Sequence, residues 1–151
     1  MAVTDFFFGK KHGFVGRNRR FMSMENSDAR AKISEIVREY GNEQMGIRPK
    51  AISVDIHSQS VIVILEGVSH PAEINMAKER FSRELIEKMY SELFNVSKAI
   101  LQSRMERLLH RSVDRSFFAI EPLFGNAVIV FFLSGGLQYP KIVNQFDAIG
   151  T

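Results

Sequence analysis

The sequence predicts an α+β domain of two layers, ordered α-β-β-α-β-β, with a four-stranded, largely antiparallel sheet, one short helix and one long one. Three observations carry this. An amphipathic helical stripe stands near the start of the regular part. Two strand pairs follow, each made of a half-polar strand and then a wholly apolar one. Between the pairs lies the longest helical pattern in the chain.

The first helix is expected over about Asp28 to Gln44. Asn26 or Ser27 supplies an oxygen for the free N–H groups of its first turn, and Asp28 suits the positive end of the helix dipole. Ala29, Ile33, Ile36, Val37 and Tyr40 recur at the three-and-four spacing of one buried stripe. Gly41 weakens the helix after that stripe, and Gly46 with Pro49 ends it.

The first strand is expected over Lys50 to His57, where Ile52, Val54 and Ile56 alternate with Ser53, Asp55 and His57. Ser58-Gln59-Ser60 turns the chain back into Val61 to Leu65, apolar on both faces. Glu66-Gly67 closes that strand. Pro71 fits the first turn of the next helix, where its missing N–H costs nothing, with Ser69 or His70 as cap and Glu73 near the positive end.

Ile74, Ala77, Phe81, Leu85, Met89, Leu93, Val96, Ile100, Met105 and Leu108 then form a nearly continuous stripe. Unbroken from Ala72 to Leu109, such a helix would extend roughly 55 Å, which calls for a bend near Asn95-Val96-Ser97 or a partner over the overhang. The last two strands are read at Ser116 to Glu121 and Ala127 to Leu133, joined through Pro122 and Gly125-Asn126. The two halves echo each other: Val61 to Gly67 resembles Val128 to Gly135 with one extra residue. Two strands apolar on both faces require cover on both faces of the sheet. Either the helices take opposite faces, or both take one face and a second copy covers the other, which favours a homodimer.

The chain divides into residues 1–24, a basic tail read as flexible; 25–135, the single α+β domain; and 136–151, a C-terminal tail without period. The net charge of +3 is unevenly placed. Residues 1–24 hold Lys10, Lys11, Arg17, Arg19 and Arg20 against Asp5 alone, so the rest of the chain is slightly acidic. These five cations are candidate contacts to anionic lipid or nucleic acid. A nucleic-acid partner is disfavoured, because the phenylalanines fall in apolar strands and stripes rather than beside basic residues.

With no cysteine there is neither a disulfide nor thiol chemistry, which fits a cytoplasmic protein. The longest apolar run, Ala127 to Leu133, is far short of the roughly 20 residues of a membrane span, and no secretory signal is read. The four histidines, His12, His57, His70 and His110, show no metal-ligand spacing, so no metal and no cofactor are expected. Phosphate-binding and nucleophile-elbow motifs are lacking too, and no catalytic residue is assigned. Glu66, His70 and Glu73 flank the strand-to-helix junction and are the candidate ligand-binding residues, since two carboxylates there could do acid–base work. Helix capping and solvation explain them equally well.

A short amphipathic helix, Gly46-Ile47-Arg48-Pro49, a hairpin ending Val63-Ile64-Leu65-Glu66-Gly67-Val68, then Pro71-Ala72-Glu73 opening a long helix, and a closing strand like Val128-Ile129-Val130-Phe131 recur together in one family. Over Ala29 to Leu133 the chain resembles the small bacterial domain family MpsC, a component of a sodium-translocating membrane potential-generating system. It departs from that pattern at Arg48, at Ser69-His70 and at Leu109-His110. The resemblance implies a cytoplasmic accessory protein, at the inner face of the membrane, linked to a membrane system for cation or inorganic-carbon uptake. It implies a membrane-protein partner and a regulatory, non-enzymatic role, and transfers no catalytic residue. The rival expectation is a small-molecule-binding or enzymatic domain using the Glu66–Glu73 junction.

Overall fold

The computed structural model describes residues 26–135. The expectations for the two tails, including Lys10, Lys11, Arg17, Arg19 and Arg20, lie outside them.

Helix α1 spans residues 26–40, and its last turn widens into a π turn over Gly41–Met45. The widening falls where Gly41 stands, buried against Ile47, whose side chain would come within 3.1 Å of a β-carbon at position 41. Gly46 ends the turn in the left-handed region (φ 67°), which glycine enters without the steric penalty of a β-carbon. Ile33, Val37 and Tyr40 are buried as their spacing predicts, with Ala29 and Ile36 half-buried at the edge of the stripe.

Strand β1 (Ala51–Ile56) and strand β2 (Ser60–Glu66) form the expected hairpin, with Val54 opposite Val63. Helix α2 is short, Pro71–Met76, and the long helix α3 is Arg80–Leu109. The expected unbroken helix from Ala72 is therefore interrupted, and not at Asn95-Val96-Ser97, through which α3 runs regularly. The break is at 77–79: the Ala77 N–H still reaches the Glu73 carbonyl (2.8 Å), but Glu79 turns extended (ψ 128°). Ala77 is fully buried there, and neither glycine nor proline stands at the break.

Strand β3 (Val113–Glu121) starts three residues before the expected Ser116, and strand β4 (Asn126–Leu133) is close to expectation. Between Val113 and Arg115 the register slips by one residue, a bulge at Asp114. The bulge lets Val113 and Ser116 both face inward while Arg115 points out. The sheet order is β1-β2-β4-β3, antiparallel throughout, with the two apolar strands in the middle.

The core lies on one face of this sheet. Val54, Val61, Val63, Leu65, Ala127, Ile129, Phe131 and Leu133 join one cluster with Ile33, Val37 and Tyr40 of α1 and with Ile86, Tyr90, Phe94, Leu101 and Met105 of α3. Phe94 links the layers, stacking on Phe118 at 5.4 Å and meeting Tyr40 edge-on at 6.4 Å. The buried stripe of α3 matches the expected one only in part. Met105 is buried and Leu93 and Leu108 pack against the core, but Phe81, Leu85, Met89, Val96 and Ile100 are exposed, Phe81 at 73% and Val96 at 79%. Two apolar stripes run side by side along this helix, both at helical spacing, and the core takes the one with the aromatic residues Tyr90 and Phe94.

Candidate functional site

The strand-to-helix junction is built around Glu73. Its Oε2 accepts a 2.8 Å hydrogen bond from the His70 backbone N–H, and its Oε1 accepts a 2.6 Å bond from the Tyr90 hydroxyl. One carboxylate thus fastens the start of α2 and ties it to α3. Burial, together with the Glu73 hydrogen bond and charge, holds the Tyr90 hydroxyl well above its ordinary pKa. His70 occupies the cap position with extended backbone (ψ 154°), and its residue is exposed. Glu66 ends β2 on the solvent side, and its carbonyl accepts from the Lys50 N–H at 2.8 Å. The structure brings His70 and Glu73 together, while no hydrogen bond among the described residues joins Glu66 to either.

Arginine serves mainly as a clamp. Arg111 donates from Nη1 to the Ser58 carbonyl (2.8 Å) and from Nε to the Ser134 carbonyl (3.2 Å), pinning the hairpin turn to the end of β4. Arg104 pairs with Glu43 at 3.0 Å, holding the π turn against α3. Arg38 and Arg48 line a surface cavity of about 430 Å³ with Glu39, Asn42 and Pro49. Among the described residues no group of His, Asp or Glu could hold a metal ion, and no helix is long and apolar enough to cross a membrane.

The chemically distinctive feature is the face of the sheet that no element among the described residues covers. Strand registry lays its residues in four rows. Ala51, Glu66, Asn126 and Glu121 make a polar end row; Ser53, Ile64, Val128 and Ala119 the second; Asp55, Ile62, Val130 and Phe117 the third; Ser60, Phe132 and Arg115 the fourth. Inside the β1 edge the second and third rows are apolar: Phe117 is 52% exposed and Ile64 39%. Arg115 lies over it, its guanidinium 4.9 Å from the Phe132 ring centre and 5.9 Å from that of Phe117. Ile64, Ala119 and Val128 floor a shallow depression of about 460 Å³ rimmed by Glu121 and Asn126.

The doubly apolar character of β2 and β4 was the sequence signal for this face. The rows themselves required strand order and register. The exposed stripe of α3 is a second apolar surface, carried by the opposite layer.

A one-sided antiparallel sheet backed by two helix systems, its apolar outer face open and its best-placed carboxylate engaged in capping, defines a small α+β domain whose distinctive surface is a flat apolar one. The family model described as Na+-translocating membrane potential-generating system (MpsC) matches residues 25–135, and the chain belongs to that family. Comparison with curated proteins and with solved structures finds no match.

Proposed function

We propose that this domain is a non-enzymatic, regulatory interaction module that works as a homodimer accessory to a membrane cation system, at the inner surface of the membrane. Family membership supports the link to a membrane potential-generating system. The observation that carries the interaction reading is that the helices cover one sheet face while the other is apolar at five positions of its two central strands, Ile62, Ile64, Val128, Val130 and Phe132. Contiguous apolar surface of this kind marks a contact site in folded proteins. No helix among the described residues is long and apolar enough to span a membrane, so the role proposed here is contact with a membrane component rather than conduction.

The test is light scattering on the purified chain together with capture of partners from solubilised membranes. A dimer that retains a specific membrane protein is expected. A strict monomer at tens of micromolar with nothing retained from membranes would overturn the reading.

A further inference from the structure

We infer that two copies of this domain stack their open sheet faces about a two-fold axis parallel to the strands, so that β1 of one copy lies over β3 of the other and Asp55 meets Arg115 of the partner subunit. The inference rests on the dimeric reading above and adds its geometry.

The middle of the open face is complementary in charge. It carries an acid, Asp55, on the β1 edge strand and a cation, Arg115, on the β3 edge strand, with apolar residues between them, while Glu66 and Glu121 stand apart in the polar end row. Asp55 has neither an ion pair nor a side-chain hydrogen bond among the described residues. Arg115 projects its guanidinium across Phe132 and Phe117 instead of pairing within its own copy. For a face-to-face pair with its strands aligned, the two-fold runs along the strands or across them. The axis across the strands sets β1 on β1, and centred on the Val130 row it opposes the two Asp55 carboxylates in a desolvating contact. Like charges so placed cost several kcal/mol. The axis along the strands sets β1 on β3, where Asp55 lies one row, roughly 7 Å along the strand, from Arg115 of the partner subunit. With stacked sheets ~10 Å apart, the two backbones are then roughly 12 Å from each other, a gap that the arginine and aspartate side chains span together, and the two-fold forms the pair twice.

Size is consistent with a reversible contact. Four strands at ~4.8 Å and about seven residues at ~3.3 Å give a footprint of roughly 440 Å² per copy. That is within the range of the largest exposed patch on an ordinary monomer, and about 880 Å² for the two copies together is below a standard stable interface, as for a weak, reversible contact. The exposed stripe of α3 belongs to the helical layer, so stacking leaves it open on both outer surfaces.

Sedimentation equilibrium of the full chain tests the geometry, using Asp55→Arg, Arg115→Asp, the double exchange, and Leu85→Arg on α3 as control; the three positions are exposed. Each single exchange is expected to weaken the dimer by about 10-fold or more, and the double exchange to restore it to within about 3-fold. Leu85→Arg is expected to leave it unchanged. A monomeric wild type overturns the dimeric reading itself. A dimer indifferent to both single exchanges, or one broken by Leu85→Arg, leaves dimerisation standing and overturns the stacked-sheet geometry. Weakening by both singles without rescue by the double overturns the Asp55–Arg115 pairing.

Discussion

Tyr40, deep between α1 and α3, shows how one hydroxyl joins two elements. The Ser97 hydroxyl spends its proton on the Leu93 carbonyl (2.6 Å), so in the 2.6 Å contact between Tyr40 and Ser97 the phenol is the donor. Burial raises the Tyr40 pKa. Tyr90 is raised as well, by burial first and then by Glu73. A tyrosine whose folded pKa exceeds its unfolded value, about 10, contributes stability that is complete below that pH and is lost as pH climbs toward the folded value. Urea midpoints are therefore expected to fall above about pH 10 in the wild type and to fall less steeply in Tyr90→Phe. Equal slopes would remove this account. Arg111 also acts between distant parts of the chain, joining Ser58 and Ser134. Arg111→Ala is expected to cost about 1–3 kcal/mol in denaturant unfolding, since it leaves two carbonyls without their charged donor. None of these pairings was legible in the sequence: Tyr40 and Ser97 are 57 positions apart, and Arg111 and Ser58 are 53. Gly67 was legible as a strand end. Its left-handed φ of 68° and the Lys50 side chain, 2.7 Å from where a β-carbon would lie, explain why a glycine stands there.

Among the elements, α1 and the two hairpins follow from local pattern, whereas α3 does not. Its two apolar stripes have the same helical spacing, and hydropathy alone cannot say which faces the sheet. The core selects Ile86, Tyr90, Phe94, Leu101 and Met105, because aromatic side chains fill the gap between α3, α1 and β3. The choice is measurable. Leu101→Ala, at 0% exposure, is expected to destabilise by about 2–5 kcal/mol, while Leu85→Ala on the outer stripe is expected to stay within roughly 0.5 kcal/mol. Comparable losses at both sites would mean that the outer stripe is covered. The break at 77–79 is equally silent in the sequence. Met76, Ala77, Lys78, Glu79 and Arg80 are ordinary helix formers, with neither glycine nor proline among them.

For the whole molecule, the sequence determined that two strands would be apolar on both faces, that they would be central, and that the chain would belong to the MpsC family. These are properties of local composition and order, which survive without knowledge of distant neighbours. The tertiary structure decided that α1 and α3 share one face of the sheet, and so left the other open. It also decided that Glu73 is engaged by His70 and Tyr90 while Glu66 stands apart, a matter of how α3 packs rather than of sequence spacing. Most of all it set register: Asp55, Ile62, Val130 and Phe117 become neighbours only when three strand pairs align. A one-residue slip would turn every one of those side chains to the opposite face, and only the packed core holds the register that keeps them outward.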